Sequence, residues 1–344
     1  LVDRGLADLS MAHLSARLDT TDEAGRHAPI AAVILAGDQV YADSRVDSGH
    51  AGALRRTFFD AHQEAWSAPW QREVLRRRPV YMVVDDHEFR NDYNNDIAAG
   101  RPQEFGHAST AWHRYQIDAG PPVAQPGASW RPFTLCGFPF FLCDTRSERR
   151  DSPSVSREGA QIMERAQMDA LKHWLATLHN SATDTSRPKV IVTGTPIAPW
   201  FARAQGDKGQ ALWGDGWQRF PDSVAELLHF IADQQIQKVL FLAGDYHLHA
   251  DADLVLQAPG KSQVKVRSIV TGGLYCPYPF ANATRDEWLD GDDAQGLRAG
   301  STVWGYTLRP TQPGSGYTRL TLIDEPDPQA PWVLSDFVAV APNP

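Results

Sequence analysis

Lys238-Val-Leu-Phe-Leu-Ala-Gly-Asp-Tyr-His247 is the stretch that decides how this chain is read. Val239 to Ala243 are apolar without a break, and polarity arrives all at once in Gly244, Asp245, Tyr246 and His247. A short continuous apolar run with charge only at its end is the pattern of a strand buried on both faces, as in a parallel sheet. The pattern recurs four times. Ile30 to Ala36 ends in Gly37-Asp38, Val80 to Val84 in Asp85-Asp86-His87-Glu88, Phe138 to Cys143 in Asp144-Thr145-Arg146, and Lys189 to Val192 in Thr193-Gly194-Thr195-Pro196. Helix-like segments accompany these runs. Leu6, Leu9, Leu14 and Leu18 place an amphipathic helix over 4–19, and Ile162, Met163, Ala166, Met168, Leu171, Trp174 and Leu175 place another over 159–178. A third covers 222–235. Alternating strand and helix predicts an α/β fold around a largely parallel central sheet.

The last hundred residues read differently. Asp253–Leu256, Val264–Val270, Thr302–Leu308, Tyr317–Ile323 and Trp332–Val340 are successive strands with turn signals between them. They predict a second, mostly antiparallel sheet packed on the first. No repeat, low-complexity segment or Gly/Ser linker divides the 344 residues, so residues 1–344 are expected to form a single domain.

The formal net charge is −9, which disfavours nucleic-acid duplexes as a main partner, since those need a basic face. The longest apolar run, Phe133 to Cys143, is broken by Gly137 and Pro139 and is too short to span a bilayer. With 42% apolar residues the chain can bury a large core, and disorder is excluded as a description of the whole. Three cysteines, Cys136, Cys143 and Cys276, do not make a disulfide framework and fit reducing surroundings. No signal peptide is visible, and cytoplasm and periplasm both stay open as compartments, as does the oligomeric state.

Five strands delivering carboxylate, imidazole or hydroxyl groups at their carboxyl ends put those groups on the edge where α/β sheets bind ligands. A lone Gly-Asp there is commonly a turn. Asp38, Asp86 and Asp245 brought together would repel one another unless a cation neutralised them, so a multivalent metal site is the economical reading. Tyr41 stands three residues after Asp38, and a phenolate suits a strongly Lewis-acidic ion such as ferric iron. His247 follows Asp245 by two, so in an extended stretch both face one way, whereas His87, next to Asp86, points elsewhere and is placed to touch substrate.

These residues carry a resemblance. Gly37-Asp38-Gln39-Val40-Tyr41 resembles the Gly-Asp-x-x-Tyr block of calcineurin-like metallophosphoesterases, in the form shared by purple acid phosphatases and the alkaline phosphatase D (PhoD-like) family. Asp85-Asp86-His87-Glu88, Asp144-Thr145-Arg146 and Gly244-Asp245-Tyr246-His247 resemble further PhoD-like blocks, in the same order over about residues 1–250. The resemblance implies a four-layer αββα sandwich of two mixed sheets and a phosphomonoesterase or phosphodiesterase working through a bimetal-activated hydroxide. It implies Asp38 as bridging ligand, Tyr41 and His247 at an iron-like site, and Asp86 and Asp245 at a second site whose oxygens suit calcium. The expected pair is Fe3+ with Ca2+, other divalent ions coming second. His87 matches the histidine that protonates the leaving group, and Arg146 is expected to hold a phosphate oxygen of a small phosphoester substrate.

Two departures bear on these expectations. The family carries its first metal ligands, Cys or Asp, on an early strand and often an amino-terminal sandwich domain. The segment before Asp38 supplies neither, since Asp3 and Asp8 lie in the helix-like run. Thr193-Gly194-Thr195-Pro196 stands where the wider superfamily has a metal-binding His, leaving Thr195 as a further candidate contributor. A degenerate binding domain, or a phosphotriester or phospholipid hydrolase on the same scaffold, are the alternative functions. No Gly-x-Ser-x-Gly elbow or dinucleotide fingerprint is present. Among neighbouring residues, Asp43 reads as a loop cap, Glu88 as orienting His87 or nearby backbone, and His249 and Asp251 as supporting or solvent-facing groups. Trp213, Trp217 and Phe220 read as a substrate mouth or as core, and His107 and His113 as surface or core residues.

Overall fold

The computed structural model describes residues 4–21, 25, 27–47, 54–151, 159–202, 216–274, 287–310, 312–327 and 330–340. In chain order these form α1 (Arg4–Arg17), β1 (Val33–Leu35), α2 (Ala42–Asp47), α3 (Leu54–Ser67), α4 (Pro69–Arg77), β2 (Val80–Met82), α5 (Asn95–Gly100) and α6 (Pro102–Trp112). A π-helical turn, His113–Ile117, then leads to β3 (Arg131–Leu135), β4 (Phe138–Leu142), α7 (Arg165–His179), β5 (Lys189–Val192), α8 (Pro221–Asp233), β6 (Val239–Ala243), β7 (Leu248–Gln257) and β8 (Val264–Val270). The last strands are β9 (Leu297–Ala299), β10 (Thr302–Leu308), β11 (Gln312–Pro313), β12 (Gly316–Leu322) and β13 (Val333–Ala339).

The large sheet runs β3-β4-β5-β6-β8-β7-β10-β9, with β11 added to β7. Its centre, β4-β5-β6-β8, is parallel, and its flanks are antiparallel. Every residue of β5 and β6 is buried, as the apolar runs Val190–Val192 and Val239–Ala243 require, and Lys189 is buried at the start of β5 with its Nζ donating to the Thr185 and Arg187 carbonyls. Two short pairs, parallel β1-β2 and antiparallel β12-β13, form the facing layer. Ile34 and Tyr81 from one pair, with Leu320 and Val333 from the other, pack on Phe140, Val190, Leu240 and Ile269 of the large sheet. The outer face of the large sheet buries Leu171 and Leu175 of α7 and Leu227, Leu228 and Ile231 of α8. Met11 and Leu14 of α1 and Val74 of α4 close the opposite side over Val33 and Tyr317. The order helix, sheet, sheet, helix is the expected αββα sandwich.

The structure divides the strands otherwise than the sequence reading does. The five apolar strands do not share one sheet: β1 and β2 lie in the small layer, and β4, β5 and β6 in the large one. The late strands do not form a sheet of their own either. β7, β8 and β10 extend the large sheet, and β12 and β13 alone of that set join the small layer. Phe133 to Cys143 is a hairpin that turns at Cys136 (φ 49°) and Gly137, with both described cysteines free; Cys276 lies outside the described residues. Helices α3 to α6, with the π turn, fill a stretch that the apolar periodicity does not delimit. Three helices start on proline, at Pro69, Pro102 and Pro221, where the missing N–H costs no bond. Among the described residues no helix is long and apolar enough to cross a membrane. An apolar groove of about 390 Å³ runs between β1 and β12, two strands each paired on one side alone, and reaches Asp38, Asp245 and His247 at one end.

Candidate metal centre

The loops that follow β1 and β2 in the small layer and β4, β5 and β6 in the large one meet at a single place. Two glycines allow it. Gly37 sits at φ 110°, and a Cβ there would stand 2.6 Å from Asp85 Cβ; a Cβ on Gly194 would stand 2.6 Å from Asp85 Oδ1. The chain thus passes on either side of the Asp85 carboxylate only because both positions lack side chains. Asp38, Asp245 and His247 have φ of 54°, 68° and 53°, a left-handed conformation that non-glycine residues adopt mostly where the surroundings enforce it.

Asp38, Asp85, Asp86 and Asp245 each bring a carboxylate oxygen to within 4.8 Å of the others, and Asp38, Asp86 and His87 form an overlapping group of the same size. Asp38, Asp86 and Asp245 therefore come together as the sequence predicts. Asp85 joins them unpredicted, although it stands beside Asp86 in the same run. Arg146 is fully buried among these carboxylates. Its Nε donates to Asp85 Oδ1, and its Nη2 lies 3.5 Å from Asp86 Oδ1 and 4.0 Å from Asp245 Oδ1. It thus lies within salt-bridge distance of three of the four carboxylates.

The electrostatics are one-sided. Burial, then Asp86, Asp85, Glu88 and Asp245, push the Asp38 carboxyl well above the usual carboxylate range. For Asp86, burial also works upward. The charges of Arg146 and His87 and the Asp92 N–H, donated at 2.6 Å, outweigh it and bring Asp86 to about 2. Among the described residues Asp86 Oδ1 accepts no hydrogen bond. A cluster of acids whose central member resists ionising, with a buried acceptor oxygen left over, fits a hard cation bound through oxygen. The Thr195 hydroxyl is buried beside this loop and also lacks a hydrogen-bond partner among the described residues.

Tyr41 and His247 lie together at the same end, with Tyr41 Oη 3.2 Å from His247 Nε2. The Tyr41 ring packs on His87 at 4.3 Å between centroids. His87 Nδ1 lies 2.7 Å from Asp43 Oδ2. Burial alone would lower His87, but the Asp43 hydrogen bond and the charges of Asp86, Asp43 and Glu88 raise it to about 9. Asp43 accepts from the Ser44 and Asn91 N–H groups as well. The residue read from sequence as a loop cap is thus also the partner of His87.

Glu88 orients nearby backbone, one of the two roles read for it from sequence. It accepts from the N–H of Gln39 (2.8 Å) and of Asp85 (2.9 Å), tying together the loops that bear Asp38 and Asp86. Gln116 of the π turn donates to the same carboxylate at 3.1 Å and lies 3.2 Å from His62 Nε2. His62 Nδ1 faces the Phe58 carbonyl at 2.9 Å, which can only accept, so Nε2 is the acceptor for Gln116. Burial lowers His62 to about 4 and keeps it neutral. No local pattern marks Gln116, since its role rests on contacts to residues 28 and 54 positions away. Gln116→Leu is expected to slacken both loops and weaken cation retention at least about tenfold, in the range found for groups that orient metal ligands. Equilibrium dialysis reads this, and wild-type retention in a folded variant would count against it.

Other candidates go elsewhere. His249 stacks on Phe337 at 4.9 Å, and Asp251 pairs with Arg267 and Ser335. Trp217 and Phe220 are core residues on the outer face of the large sheet. Trp213 lies outside the described residues.

The fold is shared with a solved structure titled "Structure of PhoD". The TM-score is 0.65 at 15% identity, over 96% of this chain and 65% of that one. This chain therefore spans about two thirds of the length of the structure it matches. No curated protein matches it. Residues 19–285 match the family described as PhoD-like phosphatase, a span that contains all four strand-end blocks and every residue of the carboxylate cluster. This chain belongs to the PhoD-like phosphatase family.

Proposed function

We propose that this chain is a metal-dependent phosphoester hydrolase, with Asp38 shared between two cations. The observation that carries the reading is the convergence of four carboxylates within 4.8 Å beside a histidine that has its own carboxylate partner. Asp86, Asp245 and Asp85 would hold one cation, and Tyr41 and His247 would complete the site of the other. When bound, the cations would supply Lewis acidity toward the phosphoryl oxygens and a water acidified enough to act as nucleophile near neutral pH. Arg146 holds the Asp85 carboxylate in place and offsets part of the cluster's charge. His87 carries a proton on the nitrogen turned away from Asp43 and gives it to the departing alkoxide. Asp43 keeps the ring oriented and its charged form favoured, as a carboxylate behind an imidazole does.

Small mono- and diesters are the proposed substrates. The test is hydrolysis of p-nitrophenyl phosphate and bis(p-nitrophenyl) phosphate by metal-loaded protein, with bound ions counted by mass spectrometry. Two ions per chain with turnover of either ester is the expected result. Two bound ions with no turnover of either would sink the reading.

The proposed ions are ferric iron by Tyr41 and calcium by Asp86 and Asp245. The oxygen-rich donor set favours hard ions over zinc, which prefers nitrogen and sulfur. Loaded protein should then show a visible phenolate-to-iron absorption band that Tyr41→Phe abolishes without loss of fold. A colourless, fully active protein holding only zinc would overturn this assignment.

A further inference from the structure

A second cleft, of about 940 Å³, opens between α3, α6, the π turn and the segment entering β3. The proposed hydrolytic machinery does not use it. Its charge is opposite to that of the metal centre. Arg55 and Arg114 line it and are exposed, and Asp118 is the one carboxylate among its lining residues. On a chain of net charge −9 this is a locally basic hollow.

Two buried donors, one on its wall and one behind it, have no acceptor among the described residues. Trp112, on the cleft wall, is 1% exposed, and its indole N–H makes no hydrogen bond. Arg131, the first residue of β3, is fully buried, and none of its three guanidinium nitrogens has a hydrogen-bond partner among the described residues. The guanidinium lies against Gly120, where a Cβ would stand 2.6 Å from Nη2. Its charge acts on Asp118 and His113, both of which line the cleft. Burial pulls Arg131 down to about 10, against the pull of Asp118, so it remains a cation at neutral pH. A buried guanidinium without hydrogen bonds is among the costliest arrangements in a protein interior, and an anion is what offsets it. Arginine is also the side chain best shaped for a planar or tetrahedral oxyanion.

Part of the remaining wall is aromatic, beside Gln63, Ser109, Thr110 and Ser129. Arg55 lies over the Phe59 ring at 5.4 Å, and the Tyr115 ring stacks on His62 at 5.2 Å and meets Phe59 edge-on. Flat apolar faces next to cationic groups take a planar body that carries a negative charge. His113 and Tyr115 belong to a π-helical turn, a distortion found often at binding sites.

We propose that this cleft is a binding site, separate from the metal centre, for a small oxyanion carried on an aromatic body. The oxyanion lies toward Trp112 and within reach of the charge of Arg131, which stands behind the wall, and the ring lies against Phe59 and Tyr115. The inference concerns binding alone and stands whether or not the hydrolase reading holds.

Calorimetric titration of the metal-loaded protein with phenylphosphonate tests it, because the phosphorus–carbon bond offers no ester to cleave. Asp38→Asn removes binding at the metal centre and isolates the cleft. In that background phenylphosphonate or benzoate should still bind, methylphosphonate should bind at least tenfold more weakly, and Arg131→Met should weaken phenylphosphonate at least tenfold. The double variant Arg55→Ala/Arg114→Ala alters exposed side chains alone and should also weaken it, which keeps the test decisive if Arg131→Met fails to fold. Loss of all aryl oxyanion binding with Asp38→Asn would overturn the proposal. So would unchanged affinity in the Arg55/Arg114 variant, or in a folded Arg131→Met.

Discussion

Asp38→Asn is expected to lower phosphoester turnover by at least about a hundredfold and to release bound cations. Asp38 and Asp86 are common to both groups of candidate ligands, and four acids, Asp86, Asp85, Glu88 and Asp245, bear on the charge of Asp38. An amide keeps the shape and removes the negative charge, so each cation loses a charged ligand and the nucleophile loses its activation. Asparagine also tolerates the left-handed backbone at φ 54°, so the fold should survive and the loss be read as chemistry. Turnover within a fewfold of wild type, with metal content unchanged, would reject the shared role.

The second large effect is selective. His87→Ala should slow alkyl phosphoesters by about a hundredfold or more, in the range a positioned general acid contributes, and aryl phosphates such as p-nitrophenyl esters far less. A phenolate of low pKa leaves unprotonated, whereas an alkoxide needs the proton. Metal content should stay as in wild type. Equal losses on both substrates, or loss of metal, would contradict the assignment. The pH profile supplies an independent check. His87 is raised to about 9, so its proton is in place below that pH and is lost as pH rises through it. Asp43→Asn removes a hydrogen bond and a charge that raise it, so the alkaline fall in alkyl-ester turnover should move to lower pH. Bound cations lower His87 in both proteins, which leaves the difference between them as the readout. An alkaline limb that stays in place would show that Asp43 does not govern His87.

Much of this was legible in the chain because it is local. A strand buried on both faces must be apolar throughout and polar where it emerges, so Val239 to His247 announces both the strand and the edge where its ligands stand. The same logic marked Asp38, Asp86 and Asp245 before any neighbour was known, and the structure brings the three together. The sandwich class was implied by the family resemblance that those blocks carry. What tertiary structure alone decided is partnership. An apolar run presents the same main-chain edge to any strand, so nothing in Ile30–Ala36 or Val80–Val84 says that β1 and β2 face β4, β5 and β6 across a core rather than lying beside them. Asp43 reads as a loop cap by its neighbours and is a histidine partner by its position in space, 44 residues from His87. Gln116 and Arg131 bear no local mark at all. Their hydrogen bonds, made in one case and missing in the other, depend on which side chains the packed layers leave within reach, and that is set by the whole fold and not by any stretch of it.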